Sequence, residues 1–191
     1  MNRRAGWASV LTALVLTMSG CAQPTTDPHA GHGGQPHNAA DVAFARNMIP
    51  HHRQGVDLAA MVPARTTNAD LRVIATHIGV DQQAEIQTLN ALLAQWHEEP
   101  GHPADHSGHA GMPMTGMVDQ GTLNKLESLD GAAFDLLWTK SMISHHEGAV
   151  TMAQDEIANG ESADAIDLAT MIVEAQQREI AIMTHLISAT E

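Results

Sequence analysis

The chain has 191 residues, a length that bounds it to about one domain, and 43% of them are hydrophobic while only five are aromatic. A set rich in Ala, Leu, Ile and Met and almost free of aromatic rings favours helices over a β-sandwich or barrel. Nine Lys and Arg against 22 Asp and Glu give a net charge of −13, which argues against a nucleic-acid partner and for cations.

Residues 1–20 read as an export signal. Asn2-Arg3-Arg4 is a short basic start, and Ala5 to Met18 is an apolar run too short to span a bilayer comfortably. Met18-Ser19-Gly20-Cys21 resembles a bacterial lipobox, with Met18 where Leu is usual. On that reading Cys21 is lipidated and anchors the mature chain to the outer face of the cytoplasmic membrane or another envelope membrane. The alternative is a secreted protein with an incidental Cys. Removing the signal takes Arg3 and Arg4 with it, so seven basic residues face 22 acidic ones and the net charge becomes −15. Cys21 is the only Cys, which excludes disulfides and paired thiolate metal sites within one chain.

Residues 21–38 lack apolar periodicity and read as a flexible tether carrying His29, His32 and His37, auxiliary sites for metal capture or plain solvated linker. Phe44, Met48, His52 and Val56 recur at helical spacing, which predicts a helix over 39–62, kinked at Pro50 and stopped by Pro63. A second helix over 69–97 has Asn68 as its N-cap and Pro100-Gly101 as its stop. Residues 98–121 are rich in Gly and Pro and form a long loop, followed by a short helix around Leu123–Leu129. A third long helix covers 131–159, with Asn159-Gly160 as its C-terminal signal, and a fourth covers 163–188 behind an N-cap at Ser162.

Shifting the chain by 94 residues superposes it on itself. Asp41 falls on Asp135, Met48-Ile49 on Met142-Ile143, and His51-His52 on His145-His146. Further on, Gln82-Gln83 falls on Gln176-Gln177 and Glu85-Ile86 on Glu179-Ile180. This is an internal repeat of one helical hairpin. A hairpin cannot bury its own apolar face, but two can pack as a four-helix bundle. The expected domain is all-α and runs over 39–191: hairpin 39–97, connection 98–130 containing the His/Met-rich loop, hairpin 131–188.

The repeated Met-Ile-X-His-His carries the first candidate site. At about 100° per residue, His51 and His52 straddle Met48 on one helix face, and His145 and His146 straddle Met142 likewise. Thioether suits Cu(I), and imidazole serves both copper oxidation states. The bland alternative makes Met48 and Met142 core fillers and one His of each pair a hydrogen-bonded interface residue. Spacing leaves open whether the four His share one site or form two. The loop supplies the second candidate, with His102, His106 and His109 followed by Met112, Met114 and Met117. A Gly/Pro loop has no apolar face for Met to fill, so copper capture explains these residues where zinc or nickel does not; compositional drift is the alternative. Gln82, Glu85, Gln176 and Glu179 either hold the imidazoles in place or make ordinary polar contacts. Asp41 and Asp135, near helix starts, need no role beyond the helix dipole.

No Glu-X-X-His pair lies on a helix, and the chain has neither a phosphate-binding Gly-rich loop nor a zinc-protease motif, so no enzyme and no organic cofactor is expected. The duplicated Met-Ile-X-His-His, with Phe134-Asp135 before the second copy, Ala149-Val150-Thr151-Met152-Ala153 after it, and both Gln-Gln-X-Glu-Ile segments, resembles domain-of-unknown-function family 305 over roughly residues 39–188. The resemblance implies a ferritin-like four-helix fold in an exported bacterial protein, and an association with copper in some members. Met48, His51, His52, Met142, His145 and His146 match its signature positions. The sequence therefore predicts an extracytoplasmic copper-binding lipoprotein that sequesters copper, as Cu(I), Cu(II) or both, or passes it to a protein partner. The alternatives are a lipid-anchored interaction module without metal and a Cu(I) oxidase.

Overall fold

A computed structural model describes residues 36–99 and 114–188. The signal, Cys21, most of the tether with His29 and His32, and the loop residues His102, His106, His109 and Met112 lie outside the described residues. Five helices are present and no strand occurs among the described residues: α1 (Ala39–Arg65), α2 (Ala69–Gln95), α3 (Gln120–Glu127), α4 (Gly131–Asn159) and α5 (Ala163–Ser188). None is long and apolar enough to cross a membrane.

The ends of the helices follow local chemistry. Asn38 caps α1 by accepting from Ala40 and Asp41, while the Asp41 carboxylate accepts from the Asn38 N–H, a complete capping box. Asn68 caps α2 as expected, accepting from Asp70 and Leu71, and Ser162 caps α5 through Ala165. Pro63 does not stop α1. A proline removes its own N–H but keeps a helical φ, so the helix runs one more turn until Thr66 turns extended and closes it on the Val62 carbonyl. α2 ends two residues earlier than expected. His97 adopts a left-handed φ of 60°, and Glu98 bonds back to the Leu93 carbonyl. α3 starts at Gln120 because the Asp119 carboxylate accepts from Thr122. Gly160 ends α4 in an extended conformation, and its side-chain hydrogen serves space: a Cβ there would lie 2.4 Å from a Glu156 carboxyl oxygen.

α1 packs on α2, α4 on α5, α1 on α4 and α2 on α5, so the four long helices close a ring in the order α1, α2, α5, α4. The first half of α1 meets the second halves of α2 and α4 and the first half of α5, so neighbours in the ring run antiparallel. The core has two apolar parts. One holds Phe44, Met48, Leu89, Leu93, Trp96 and Ile172; the other holds Leu58, Ile78, Leu126, Phe134, Trp138 and Met142. Between them lies a polar layer, at mid-length of every long helix.

A carboxyl pair joins α1, α4 and α5. Asp41 is fully buried and accepts from the Glu161 and Ser162 N–H groups at 3.2 and 2.9 Å; burial pushes its pKa up, but the Glu156 carboxyl and then the Asn38, Ser162 and Glu161 N–H groups hold it below the ordinary range. Glu156 beside it is 1% exposed. Burial first, then the neighbouring Asp41, raises its pKa to about 8. Two carboxylates are both acceptors, so only a protonated Glu156 can donate to Asp41. Because its pKa is raised on folding from 4.5 to about 8, its contribution is complete below pH 4.5 and disappears as pH rises through 8. Glu156→Gln, whose amide donates at any pH, is expected to flatten the fall in melting temperature between pH 5 and 9. An unchanged slope would assign that fall to other groups.

Candidate metal centre

The polar layer is built from the repeated motifs. His51 and His52 come from α1, His145 and His146 from α4, Gln82 and Glu85 from α2, and Gln176 and Glu179 from α5. All four histidines have zero exposure. The His51 and His145 rings stack with centroids 3.8 Å apart and planes 28° apart, and His145 Nε2 lies 3.0 Å from the His51 carbonyl. The outer rings follow at 6.3 Å (His51 to His52) and 6.2 Å (His145 to His146). The two histidine pairs thus meet in one cluster, the question that spacing left open.

Each outer imidazole faces a carboxylate. His146 Nε2 and Glu179 Oε2 are hydrogen-bonded at 2.8 Å. His52 Nε2 approaches Glu85 Oε2 at the same 2.8 Å, aligned too poorly for a hydrogen bond. Glu85 and Glu179 reach the rim of the layer, with side chains 16% and 12% exposed. The inner pair has no such partner. Burial, followed by the neighbouring His52 and His146, lowers the His51 pKa to about 3, while the Thr115 backbone beside it works in the opposite direction. Burial, followed by the other three imidazoles, lowers that of His145 to about 2. Both inner rings are therefore neutral at pH 7, the form that ligates metals.

The layer is short of hydrogen bonds. The Nδ1 atoms of His52, His145 and His146 and both amide atoms of Gln82 and Gln176 have no partner within the protein although each is buried, and the His51 ring has only the Thr115 backbone beside it. Unpaired buried polar groups are costly and call for an explanation such as a missing ion. Space is tight as well: a Cβ on Gly55 would stand 2.0 Å from Gln82 Oε1 and 3.1 Å from His145 Cε1. Among the described residues no three His, Asp or Glu side chains are gathered as a metal site. Imidazole and thioether donors suit a soft or borderline cation.

Met48 and Met142 do not meet each other. Both are fully buried, Met48 in one apolar part and Met142 in the other. Each precedes its His pair by three and four residues, about one helical turn along the axis, and α1 and α4 are antiparallel. The two thioethers therefore flank the polar layer on opposite sides. Of the loop methionines, Met114 and Met117 are described, and both are half-buried. The Met117 N–H bonds the Met114 carbonyl at 3.0 Å across a turn that places Thr115 and Gly116 against α4. His37 of the tether stacks on Trp96, with centroids 5.0 Å apart. His77, His97 and His185 are exposed. Sequence reasoning missed Gln54, Gly116 and Gly148, which hold that turn, and gave Asp41 less than its part. No sequence signal singled out the first, since the repeat departs at 53/147 and 55/149 as well as at 54/148.

The model of the domain of unknown function DUF305 matches residues 41–187. The chain belongs to the DUF305 family. Among solved structures, a DUF305 protein of Streptomyces coelicolor, provisionally described as secreted, superposes with a TM-score of 0.73 at 30% identity over 78% of this chain and 93% of its own. A DUF305 fragment from Deinococcus radiodurans gives 0.71 at 28% identity, over 81% and 99%. CopM in its Cu(II)-bound form gives 0.68 at 30% identity, over 79% and 97%, and CopM has also been solved with Cu(I) and with Ag. No curated protein matches the chain in sequence. Both features that carried the resemblance in the sequence, the twin Met-Ile-X-His-His and the twin Gln-Gln-X-Glu-Ile, fall within the residues this DUF305 domain shares with its family model.

Proposed function

We propose that this DUF305 protein binds copper outside the cytoplasm, anchored through a lipidated Cys21, and either stores the metal or hands it to a partner. The observation that carries the reading is the convergence of four buried imidazoles whose ring nitrogens are short of partners. The copper and silver forms of CopM, a relative of the same fold, support it. The layer would hold the ion through His51, His52, His145 and His146, with Met48 and Met142 on either side as soft ligands and Glu85 and Glu179 supplying negative charge at the rim. His102, His106, His109, Met112, Met114 and Met117 would capture the ion first. The role is one of binding, and no reaction is assigned. We also infer that the bundle is ferritin-like: two repeated hairpins joined by one long crossover, since α2 and α4 stand diagonally across the ring and run the same way.

Metal content and competitive Cu(I) titration of residues 22–191 test the reading. Retention of copper against a strong competitor is the expected result. Loss of all copper to a modest competitor would replace it with a lipid-anchored interaction module. Joint replacement of Met112, Met114 and Met117 by Leu is expected to weaken Cu(I) capture about tenfold and Cu(II) capture much less, because thioether prefers the softer ion. Equal losses for both ions would remove the loop from metal selection.

A further inference from the structure

The histidines have zero exposure, so an ion reaches them only when something above them moves. What lies there is the turn from Met114 to Met117. Gly116 takes a φ of 84°, which a residue with a side chain rarely adopts. The turn is seated on α4 with no room to spare. A Cβ on Gly148 would stand 2.1 Å from the Thr115 oxygen, and one on Gly116 would stand 2.8 Å from Gly148 Cα and 3.0 Å from the His145 carbonyl. On the α1 side the segment is fastened by Gln54. Its Oε1 accepts from the Val118 N–H at 2.7 Å, and its Nε2 donates to the Val118 carbonyl at 2.9 Å.

Positions 54 and 148 are equivalent under the 94-residue repeat. The two hairpins share Met-Ile and His-His and differ at several positions around them, among them this one: a long amide on α1, no side chain on α4. Both differences serve one segment, which belongs to the connection and has no copy of its own. The amide grips it and the glycine makes room for it. The same turn carries a thioether at each end and sets its Thr115 backbone beside His51, the inner imidazole.

We propose that the Met114–Met117 turn is a clasp over the histidine layer, latched by Gln54, and that a soft monovalent cation of the Cu(I) or Ag(I) class enters by meeting its thioethers and displacing it. This rests on the copper-binding reading for the identity of the ion, but not for the existence of the clasp. Gln54 is a positioning residue: it acts through the turn and touches no ion.

The test uses the full chain with Gln54→Ala, which removes both bonds, Gln54→Glu, which keeps only the acceptor for Val118, and Met114→Leu with Met117→Leu. Three quantities are read: amide exchange at Val118, the rate at which diethyl pyrocarbonate modifies His51 and His145 in metal-free protein, and stopped-flow Ag(I) loading beside equilibrium Ag(I) affinity. Loss of two ordinary hydrogen bonds is expected to raise exchange and modification roughly tenfold or more in Gln54→Ala, with an intermediate rise in Gln54→Glu. Ag(I) loading and release should accelerate together, leaving affinity unchanged within about threefold, as for a gate. The methionine variant should load slowly while exchange and modification stay at wild-type rates. Modification and loading rates that do not change in Gln54→Ala or Gln54→Glu overturn the clasp, as does an affinity that falls in step with a faster release alone. A wild-type chain that holds no Cu(I) or Ag(I), but whose histidines are uncovered by Gln54→Ala, overturns the copper reading and leaves the clasp standing.

Discussion

Replacing His51 and His145 together by Leu is expected to abolish tight copper binding while leaving the bundle as stable as before or more so. The two halves of this result have separate causes. Removing the inner pair takes away the donors nearest the centre of the cluster, and loss of ligands costs more than the 10–100-fold typical of residues that merely support them, so copper affinity should fall by more than about 100-fold. The same rings leave Nδ1 of His145 buried without a partner, and His51 with only the Thr115 backbone beside it. Exchanging unpaired buried polar groups for apolar ones of similar volume is commonly neutral or stabilising. A copper-competition assay and a urea titration on the double variant check both halves. A variant that loses stability but keeps copper would make the layer a structural element with the metal held elsewhere.

Trp138→Ala is expected to destabilise the domain by about 3–5 kcal/mol, the range for truncating a buried aromatic side chain, and to lower the melting temperature by about 10 °C. Trp138 is fully buried in the apolar part that also holds Phe134 and Met142, and its indole N–H donates to the Leu58 carbonyl at 2.8 Å. That bond joins α4 to α1, the contact that brings the two histidine pairs together. Trp138→Phe keeps most of the buried area and loses the bond, so it should cost about 1 kcal/mol or slightly more. Copper affinity measured well below the melting temperature should change little in Trp138→Phe. A large change there would mean that the α1–α4 contact sets ligand geometry as well as stability.

The long helices were legible because their ends are written locally. Asn68 and Ser162 announce their caps whatever the tertiary structure does. The failures have equally local causes. Pro63 suggests a stop because it breaks a hydrogen bond, yet a proline near a helix C-terminus sacrifices only its own N–H. The start of α3 was hidden because Asp119 follows a Met- and Gly-rich stretch that suggests loop. For the site, a helical wheel reports which face a residue occupies, but not which face it meets, so one cluster and two separate sites look alike in the sequence. The wheel also flattens the axis. Met48 and His52 share a face but differ by a turn in height, which is why both methionines fall into apolar surroundings on either side of the histidines.

The polar layer at mid-length also acts as a ruler. In an apolar core, one helix can slide past another by a turn, about 5.4 Å, and still find Leu, Ile and Ala opposite. Here such a slide would move His52 off Glu85 and set imidazoles against Leu89 or Ile78, while Gln82 and Gln176 would face hydrocarbon. The cost of stranded polar groups is paid at every offset except one, as with a buried Asn that fixes the alignment of a coiled coil. The residues that leave the layer short of hydrogen bonds therefore fix the heights of all four helices relative to one another before any ion arrives.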